Sequence, residues 1–298
     1  MLSSVSQWMR KYRTGLLFIL PALVAIGAVF VYPMINSLFL SLHDIDLTKP
    51  WRGSIFVGLK NYRDTLANPA FWDSVWRTAY FSVASVGLEL LIGFISALTL
   101  NETFAGRAIV RSFLLIPWAL LTMTNGLMWI WIFNPHYGMF NAILTKLGLI
   151  DSYRVWLADP FWAMHAVILA DVWKMAPFMT LLILAGLQPI SQDVYDAAEV
   201  DGAGTWTKIW YVIGPLLKPA LLVAVVLRTM GAFKVFDIIY IMTSGGPADS
   251  TKVLTFYTYE QAFRYYRIGM GSAVSWLITL VLMILIVIYI KLLGADVE

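Results

Sequence analysis

The sequence predicts an all-α membrane protein with six transmembrane helices, and three observations support this fold class. Hydrophobic residues make up 60% of the 298 residues, whereas charged residues make up only 13%. The mean hydropathy is +0.74, and the charge content is about half that of an ordinary soluble domain. Six apolar runs also reach the length of about 20 residues that a helix needs to cross the hydrocarbon core of a bilayer.

The predicted spans follow one another with short connections. They cover residues 15–42, 78–100, 112–133, 161–187, 216–242 and 268–292. The first run is longer than the apolar part of a cleaved signal peptide, so it is predicted to be a retained helix. Kinks are expected near Pro21, Pro117 and Pro177, because a membrane helix tolerates proline where neighbouring groups bond the freed carbonyl. The connections are too short to form cores of their own, which predicts one membrane domain over residues 1–298.

The placement of basic residues gives a weak indication of orientation. An even number of spans places both termini on one side of the membrane. Arg10, Lys11 and Arg13 directly precede the first span and favour the cytoplasmic side for both termini. Outside the predicted spans, the number of lysine and arginine residues per residue of chain is almost equal on the two sides. Orientation therefore depends on this N-terminal cluster and on the loop at residues 188–215.

Several kinds of chemistry are excluded or disfavoured by the sequence. Cysteine is absent, which excludes disulfides, thiolate metal sites and a thiol nucleophile. His43, His136 and His165 are too dispersed to predict a metal site. No G-x-x-x-x-G-K-[ST] phosphate loop and no G-x-S-x-G or H-E-x-x-H motif occurs, so neither ATP binding by that loop nor enzymatic activity is expected. The scattered basic residues do not predict a nucleic-acid partner.

The loop between the fourth and fifth spans, residues 188–215, has a distinct pattern. Ser191 can cap a short helix that runs from Asp193 to Val200 with acidic residues near its positive end. Gly202 supplies the backbone freedom for a turn at Asp201-Gly202. Pro215 and Pro219 fit a second break where the fifth span begins. The pattern predicts a short helix that lies across the membrane surface, and on periodicity alone this helix could equally be a simple connector.

The same loop resembles the EAA loop of binding-protein-dependent ABC importer permeases, in which a short coupling helix docks on the ATPase subunit. Asp196 stands where the family usually has Glu and keeps the charge, and Gly214 stands where Leu is usual before Pro215. Ala197, Ala198, Asp201, Gly202 and Ala203 match the family pattern, and an isoleucine and two prolines follow at the family's intervals. The resemblance implies that the ATPase-coupling residues are Asp196, Ala197, Ala198, Glu199, Asp201, Gly202 and Ala203.

Segments beyond this loop resemble carbohydrate-uptake permeases of the maltose and trehalose type. They are Asp171-Val-Trp173-Lys174, Phe236-Asp237 followed by Tyr240, and Thr243-Ser-Gly-Gly-Pro247. The resemblance implies the type I ABC importer permease fold in a bacterial or archaeal cytoplasmic membrane, and a sugar substrate, in particular a disaccharide such as trehalose or maltose. It implies four partner chains: a second homologous permease, two ATPase subunits that hold ATP and Mg, and an extracytoplasmic solute-binding protein. It implies no cofactor bound by this chain.

Charges inside the predicted spans need an explanation, because each costs about 2.5–3.5 kcal/mol at the centre of a membrane helix. Asp171 and Lys174 are three residues apart, as are Lys234 and Asp237, so each pair can form a local ion pair turned toward the bundle interior. Alternatively, polar groups line a water-filled path and bond sugar hydroxyls. The candidates for that path are Glu89, Asn125, Asp171, Lys174, Asp237 and Tyr240, with stacking rings from Trp118, Trp129, Trp131 and Tyr240.

Two other functions remain open. An ion-coupled secondary carrier would use Glu89, Asp171 or Asp237 to bind protons or sodium, but no inverted repeat of the kind such carriers often show is apparent. Glycerol phosphate permeases of the ABC class share much of the same pattern, so a polar phosphorylated substrate is a further alternative.

Overall fold

Helices dominate the computed structural model, which describes residue 15 and residues 17–293. In chain order its elements are α1 Leu17–Ser41, β1 His43–Asp44, β2 Ile55–Phe56, α2 Lys60–Leu66, α3 Pro69–Asn101, α4 Arg107–Ala119, α5 Thr122–Ile132, α6 Met139–Lys146, α7 Pro160–Leu187, α8 Gln192–Val200, α9 Thr205–Phe233, α10 Asp237–Met242, α11 Leu254–Tyr259 and α12 Ile268–Leu293. The strands β1 and β2 pair antiparallel, with His43 opposite Phe56 and Asp44 opposite Ile55. Within these described residues, α1, α3, α7, α9 and α12 are long and apolar enough to cross a membrane. The predicted all-α membrane fold is confirmed.

The third predicted span is formed by two helices rather than one. Helices α4 and α5 pass the length and hydropathy test together but are bent by 94°. Leu120 and Leu121 adopt extended backbone conformations between them. Pro117 lies inside α4, where it cannot donate a backbone hydrogen bond. The number of spans in the described part of the chain is therefore five, or six if the bent pair counts as one.

Two of the spans begin earlier in the chain than predicted. Helix α3 begins at Pro69 rather than at residue 78, because the Asn68 side chain accepts a hydrogen bond from the Ala70 N–H at 3.0 Å and caps the helix. Helix α9 begins at Thr205 rather than at residue 216. A π-helical segment, Lys208–Ile213, precedes Pro215. The helix therefore continues through the region where the prolines predicted a break.

Contacts divide the described chain into two compact units. One unit contains residues 17–67 and 260–276. In it, the Asn61 side-chain amide donates hydrogen bonds to the carbonyl oxygens of Ser41 and His43, both at 2.9 Å. These bonds hold α2 against the end of α1 and the start of the hairpin.

The second unit contains residues 68–259 and 277–293, and its core is built on α7. Helices α3, α7 and α9 pack against one another. Fully buried apolar side chains fill the space between them; the largest include Phe81, Met179, Ile183, Leu187 and Leu217. The polar candidates on these three helices are thereby brought into one interior.

Close packing of α3 on α7 depends on Gly93. A Cβ atom at this position would lie 2.7 Å from Met179 Cγ and 3.1 Å from the Thr180 backbone nitrogen. We expect Gly93→Ala to lower the free energy of unfolding by about 1–3 kcal/mol, because the added methyl group overpacks the interface. Gly87→Ala is the matched control on the same helix, since a Cβ there meets nothing within 4 Å. Thermal unfolding of the two purified variants measures the difference, and equal stability would show that the two helices simply move apart.

Candidate functional site

Helix α8 connects α7 to α9 in the chain. Asp193 lies in its first turn, where a negative charge favours the helix dipole. Ser191 occupies the N-cap position, as predicted, but its side chain forms no capping hydrogen bond to any described residue. The Gln192 side chain instead donates to the Asp196 carboxylate at 3.1 Å along the exposed face. The predicted surface helix is thus present, one residue longer at its start.

The C-terminus of α8 is closed by a Schellman motif. The Ala203 N–H donates to the Ala198 carbonyl at 2.9 Å, and the Gly202 N–H donates to the Glu199 carbonyl at 3.0 Å. Gly202 has a φ of +76°, the left-handed conformation that this motif requires. The turn predicted at Asp201-Gly202 is therefore formed, and it directs the chain away from the α8 axis.

Most side chains of α8 face away from the protein. Ala198 is buried, whereas Asp196, Ala197, Glu199 and Asp201 are exposed. Val200 is 88% exposed, although it is apolar. An ion pair at 2.6 Å joins the Glu199 carboxylate to Lys208 at the start of α9. The element thus combines a fixed backbone conformation with an outward surface, which is the form expected of a helix that docks on another protein.

The interior of the second unit contains a buried ion cluster. Arg228 on α9 donates through Nε and Nη2 to the two Glu89 carboxylate oxygens on α3, and the Nη2–Oε1 distance is 2.8 Å. Nη2 also donates to the Asp171 carboxylate on α7. The exposed fractions of Glu89, Asp171 and Arg228 are 0%, 7% and 4%. Because a buried charge is stable only when it is paired, the cluster ties the three helices together.

The predicted ion pair between Lys174 and Asp171 is not formed in the described structure. The Lys174 ammonium group donates to the Trp118 carbonyl oxygen at 3.3 Å, near the C-terminal end of α4, while Asp171 is bonded to Arg228. The helix spacing of three residues allows the local pair, but the guanidinium of a neighbouring helix reaches the carboxylate instead. Lys174 therefore links α7 to α4.

Asn125 on α5 has an unused hydrogen-bonding atom. Its amide nitrogen donates to the Ala170 carbonyl at 3.2 Å, which places Asn125 beside the ion cluster. Its Oδ1 is buried and has no partner among the described residues. The Trp129 indole N–H, one turn further along α5, is also buried without a partner in that part of the chain. These two atoms can bond a hydroxyl group or a water molecule.

Asp237 and Tyr240 lie outside the ion cluster. Helix α9 ends at Phe233, so Lys234 is not on the same helix as Asp237, and the predicted local ion pair between them is not formed in the described structure. Tyr240 is 44% exposed. Its ring lies 5.4 Å from the Phe236 ring and 5.6 Å from the Tyr259 ring. Tyr240 thus belongs to an aromatic cluster, apart from Glu89 and Asp171.

Arg228 was missed as a site residue by reasoning from the sequence. It is separated from Glu89 by 139 residues and from Asp171 by 57 residues, so no helical spacing connects them. The available signal was the cost of an arginine inside a membrane span, which requires carboxylate partners. Arg228 lies within such a run, and Glu89 and Asp171 are carboxylates within two others.

Comparison with known proteins adds family information to this geometry. Residues 89–295 match the family described as binding-protein-dependent transport system inner membrane component. The trehalose/maltose transport system permease protein MalF of Thermococcus litoralis is 43% identical, over 95% of this chain and 94% of its own length. The trehalose transport system permease protein SugA of Mycobacterium tuberculosis is 35% identical, over 96% of this chain and 91% of its own length.

A solved structure has the same fold. It is the crystal structure of a bacterial ABC transporter involved in the import of the acidic polysaccharide alginate, with a TM-score of 0.83 over 99% of this chain and all of the matched chain. The sequence identity is 20%, so this likeness concerns the fold alone. A second structure of an alginate transporter, in complex with an alginate pentasaccharide-bound periplasmic protein, matches with a TM-score of 0.81 over 95% of this chain and 94% of the matched chain.

Proposed function

Because this chain belongs to the family of binding-protein-dependent transport system inner membrane components, we propose that it is the permease subunit through which an ATP-driven importer moves a disaccharide such as trehalose or maltose. The chain is a multi-pass membrane protein and a transport subunit, not an enzyme. The observation that carries the substrate proposal is the 43% identity to a trehalose/maltose permease along nearly the whole of both chains.

The energy of ATP enters through α8 in this proposal. The exposed residues Asp196, Ala197, Glu199 and Val200 form the surface that docks on an ATPase subunit, and the turn at Gly202 sets its angle to α9. Two ATPase subunits with bound ATP and Mg, a second homologous permease and an external solute-binding protein complete the importer. This chain binds no cofactor. Both chain termini and α8 lie on the cytoplasmic side.

The transport step is alternating access. When the ATPase subunits close, α8 moves and carries α7 and α9 with it, because α8 is directly connected to both helices. The Glu89–Arg228–Asp171 cluster joins α3 to the same body. The equilibrium between the inward-open and outward-open states then shifts. The size of the shift is set by how much more tightly the ATPase subunits bind one of these states than the other.

Substrate contacts divide into two groups in this proposal. Glu89 and Asp171 are bonded to Arg228, so they shape the path rather than contact the sugar in this conformation. Asn125, with its unpaired Oδ1, and the ring of Tyr240 are available to a polyol. Hydroxyl groups of a sugar can bond the amide, and the apolar face of a sugar ring can lie on the aromatic ring.

Reconstituted transport tests the proposal. We expect proteoliposomes that contain this chain, its partner permease, the ATPase subunits and the binding protein to take up labelled trehalose or maltose when ATP is present. A proton or sodium gradient without ATP is expected to drive no uptake. Gradient-driven uptake that ignores ATP would favour the secondary carrier, and ATP-dependent uptake of glycerol phosphate but not of disaccharides would correct the substrate class.

A further inference from the structure

Two adjoining cavities, one apolar and one charged, lie between the C-terminal part of α3 and the N-terminal part of α9, in the second unit. The larger cavity has a volume of about 630 Å³, and the smaller has a volume of about 240 Å³. They share the side chains of Leu98 on α3 and Ile209 on α9. A ligand that fills both cavities therefore passes these two residues.

The larger cavity is apolar. Its walls include Leu91 and Ile95 of α3, and Trp206 and Trp210 of α9. Thr99 contributes the one hydroxyl group among the lining residues. Both tryptophan side chains are exposed in the described chain, and tryptophan is typical of the level where lipid chains meet headgroups. An apolar cavity with two tryptophans in its wall is therefore suited to bind a hydrocarbon chain.

The smaller cavity carries charge of both signs. Glu102 and Lys208 line it, together with Asn101, Tyr195 and Thr205. Burial raises the pKa of the Tyr195 hydroxyl, and the nearby Glu102 carboxylate raises that pKa further. The Lys208 ammonium is bonded to Glu199, whereas the Glu102 carboxylate forms no ion pair with any described residue. One carboxylate at this cavity is thus available to a cation, beside an ammonium group that can attract an anion.

We propose that the two cavities form a binding site for one phospholipid with a primary amine, such as an ethanolamine headgroup, from the leaflet next to α8. One acyl chain occupies the apolar cavity. The ammonium group of the headgroup donates to Glu102, and its phosphate lies near Lys208. A choline headgroup carries the same charge but has no N–H group to donate to a carboxylate, so it binds less tightly.

The proposed lipid site lies next to α8, the helix through which the energy of ATP enters in the proposed function. Thr205, Trp206 and Lys208 follow the turn at Gly202 directly, and Lys208 holds Glu199 of α8. A lipid in this site therefore contacts the segment that fixes α8 relative to α9.

Lipid retention by the purified importer tests the site. The intact importer is reconstituted in vesicles with equal amounts of phosphatidylethanolamine and phosphatidylcholine, extracted in detergent, and analysed by native mass spectrometry. Gly87→Leu fills the apolar cavity, because a side chain at Gly87 meets no protein atom within 4 Å at its Cβ. Val83→Leu is the control on the same helix, since Val83 is 76% exposed and lines neither cavity. Glu102→Gln removes the headgroup carboxylate.

The expected pattern separates the two parts of the site. The unaltered importer and Val83→Leu retain phosphatidylethanolamine about tenfold more than phosphatidylcholine. Gly87→Leu loses about tenfold of both lipids. Glu102→Gln retains the two lipids equally. Equal retention of both lipids by the unaltered importer would overturn the headgroup assignment. Undiminished lipid in Gly87→Leu, or a crosslink from the variant Ile95→Cys to the partner permease in place of lipid, would overturn the site.

Discussion

Arg228→Met is expected to lower the free energy of unfolding by about 3–5 kcal/mol. The substitution leaves the buried carboxylates of Glu89 and Asp171 next to each other without their shared cation. Their mutual repulsion and the lack of water at this depth both favour unfolding. Unfolding in SDS or by heat, with the yield of assembled importer, measures the effect.

A neutral triple variant separates loss of charge balance from loss of packing. Glu89→Gln, Asp171→Asn and Arg228→Met together remove every charge of the cluster at similar volume. This variant is expected to recover most of the lost stability, because replacing a whole buried ion group is often neutral or stabilising. If Arg228→Met alone were as stable as the unaltered protein, the cluster would contribute nothing to the connection of α3, α7 and α9.

Transport by the triple variant provides a separate measurement. If the ion cluster only stabilises the fold, a triple variant that folds transports at the normal rate. If the cluster makes the three helices move with α8, the same folded variant hydrolyses ATP with reduced sugar uptake. We expect the second result, because neutral side chains at these positions keep the volume but lose the directional bonds between the helices.

Gly202→Val is expected to abolish ATP-driven uptake while leaving membrane insertion intact. Gly202 has a φ of +76°, and a left-handed conformation costs a residue with a Cβ about 1–2 kcal/mol, with a larger penalty for a β-branched side chain. The Schellman motif that ends α8 is then lost, and the exposed surface of α8 changes its direction. Uptake in proteoliposomes and binding of the purified ATPase subunits measure the two consequences.

The chain offers a matched control for this substitution two residues away. Gly204 has a φ of −69°, and a Cβ at either glycine meets nothing within 4 Å. Gly204→Val is therefore expected to retain uptake, and so is Gly202→Asn, because asparagine tolerates the left-handed conformation. Equal activity of Gly202→Val and Gly204→Val would show that coupling does not depend on this turn.

Reasoning from the sequence identified the surface helix well because its determinants are local. Asp193 and Gly202 lie within one short segment, and their positions relative to the helix ends are set by the backbone alone. The prolines were interpreted less well. Pro215 and Pro219 predicted a break, but the π-helical segment Lys208–Ile213 allows the helix to continue from Thr205. A π-helical turn has no recognisable pattern in a single sequence.

The partners in the ion pairs, in contrast to the surface helix, could not be predicted from the local sequence. Helical spacing correctly indicated that Asp171 and Lys174 share a face, but it could not indicate which partner each one takes. Asp171 bonds Arg228, and Lys174 bonds the Trp118 carbonyl. Likewise, Asp237 lies beyond the end of α9 rather than inside a long fifth span. Competition between partners on different helices decides these contacts.

The sequence by itself determined the membrane class, the apolar spans, and the surface helix with its glycine turn, because hydropathy and backbone preferences act over a few neighbouring residues. Only the tertiary structure decided which buried charges are paired, where the third span bends, and which polar atoms, such as Asn125 Oδ1, are left available. The physical reason is distance along the chain. An interaction such as that between Glu89 and Arg228 joins residues 139 positions apart, and its existence depends on how whole helices pack.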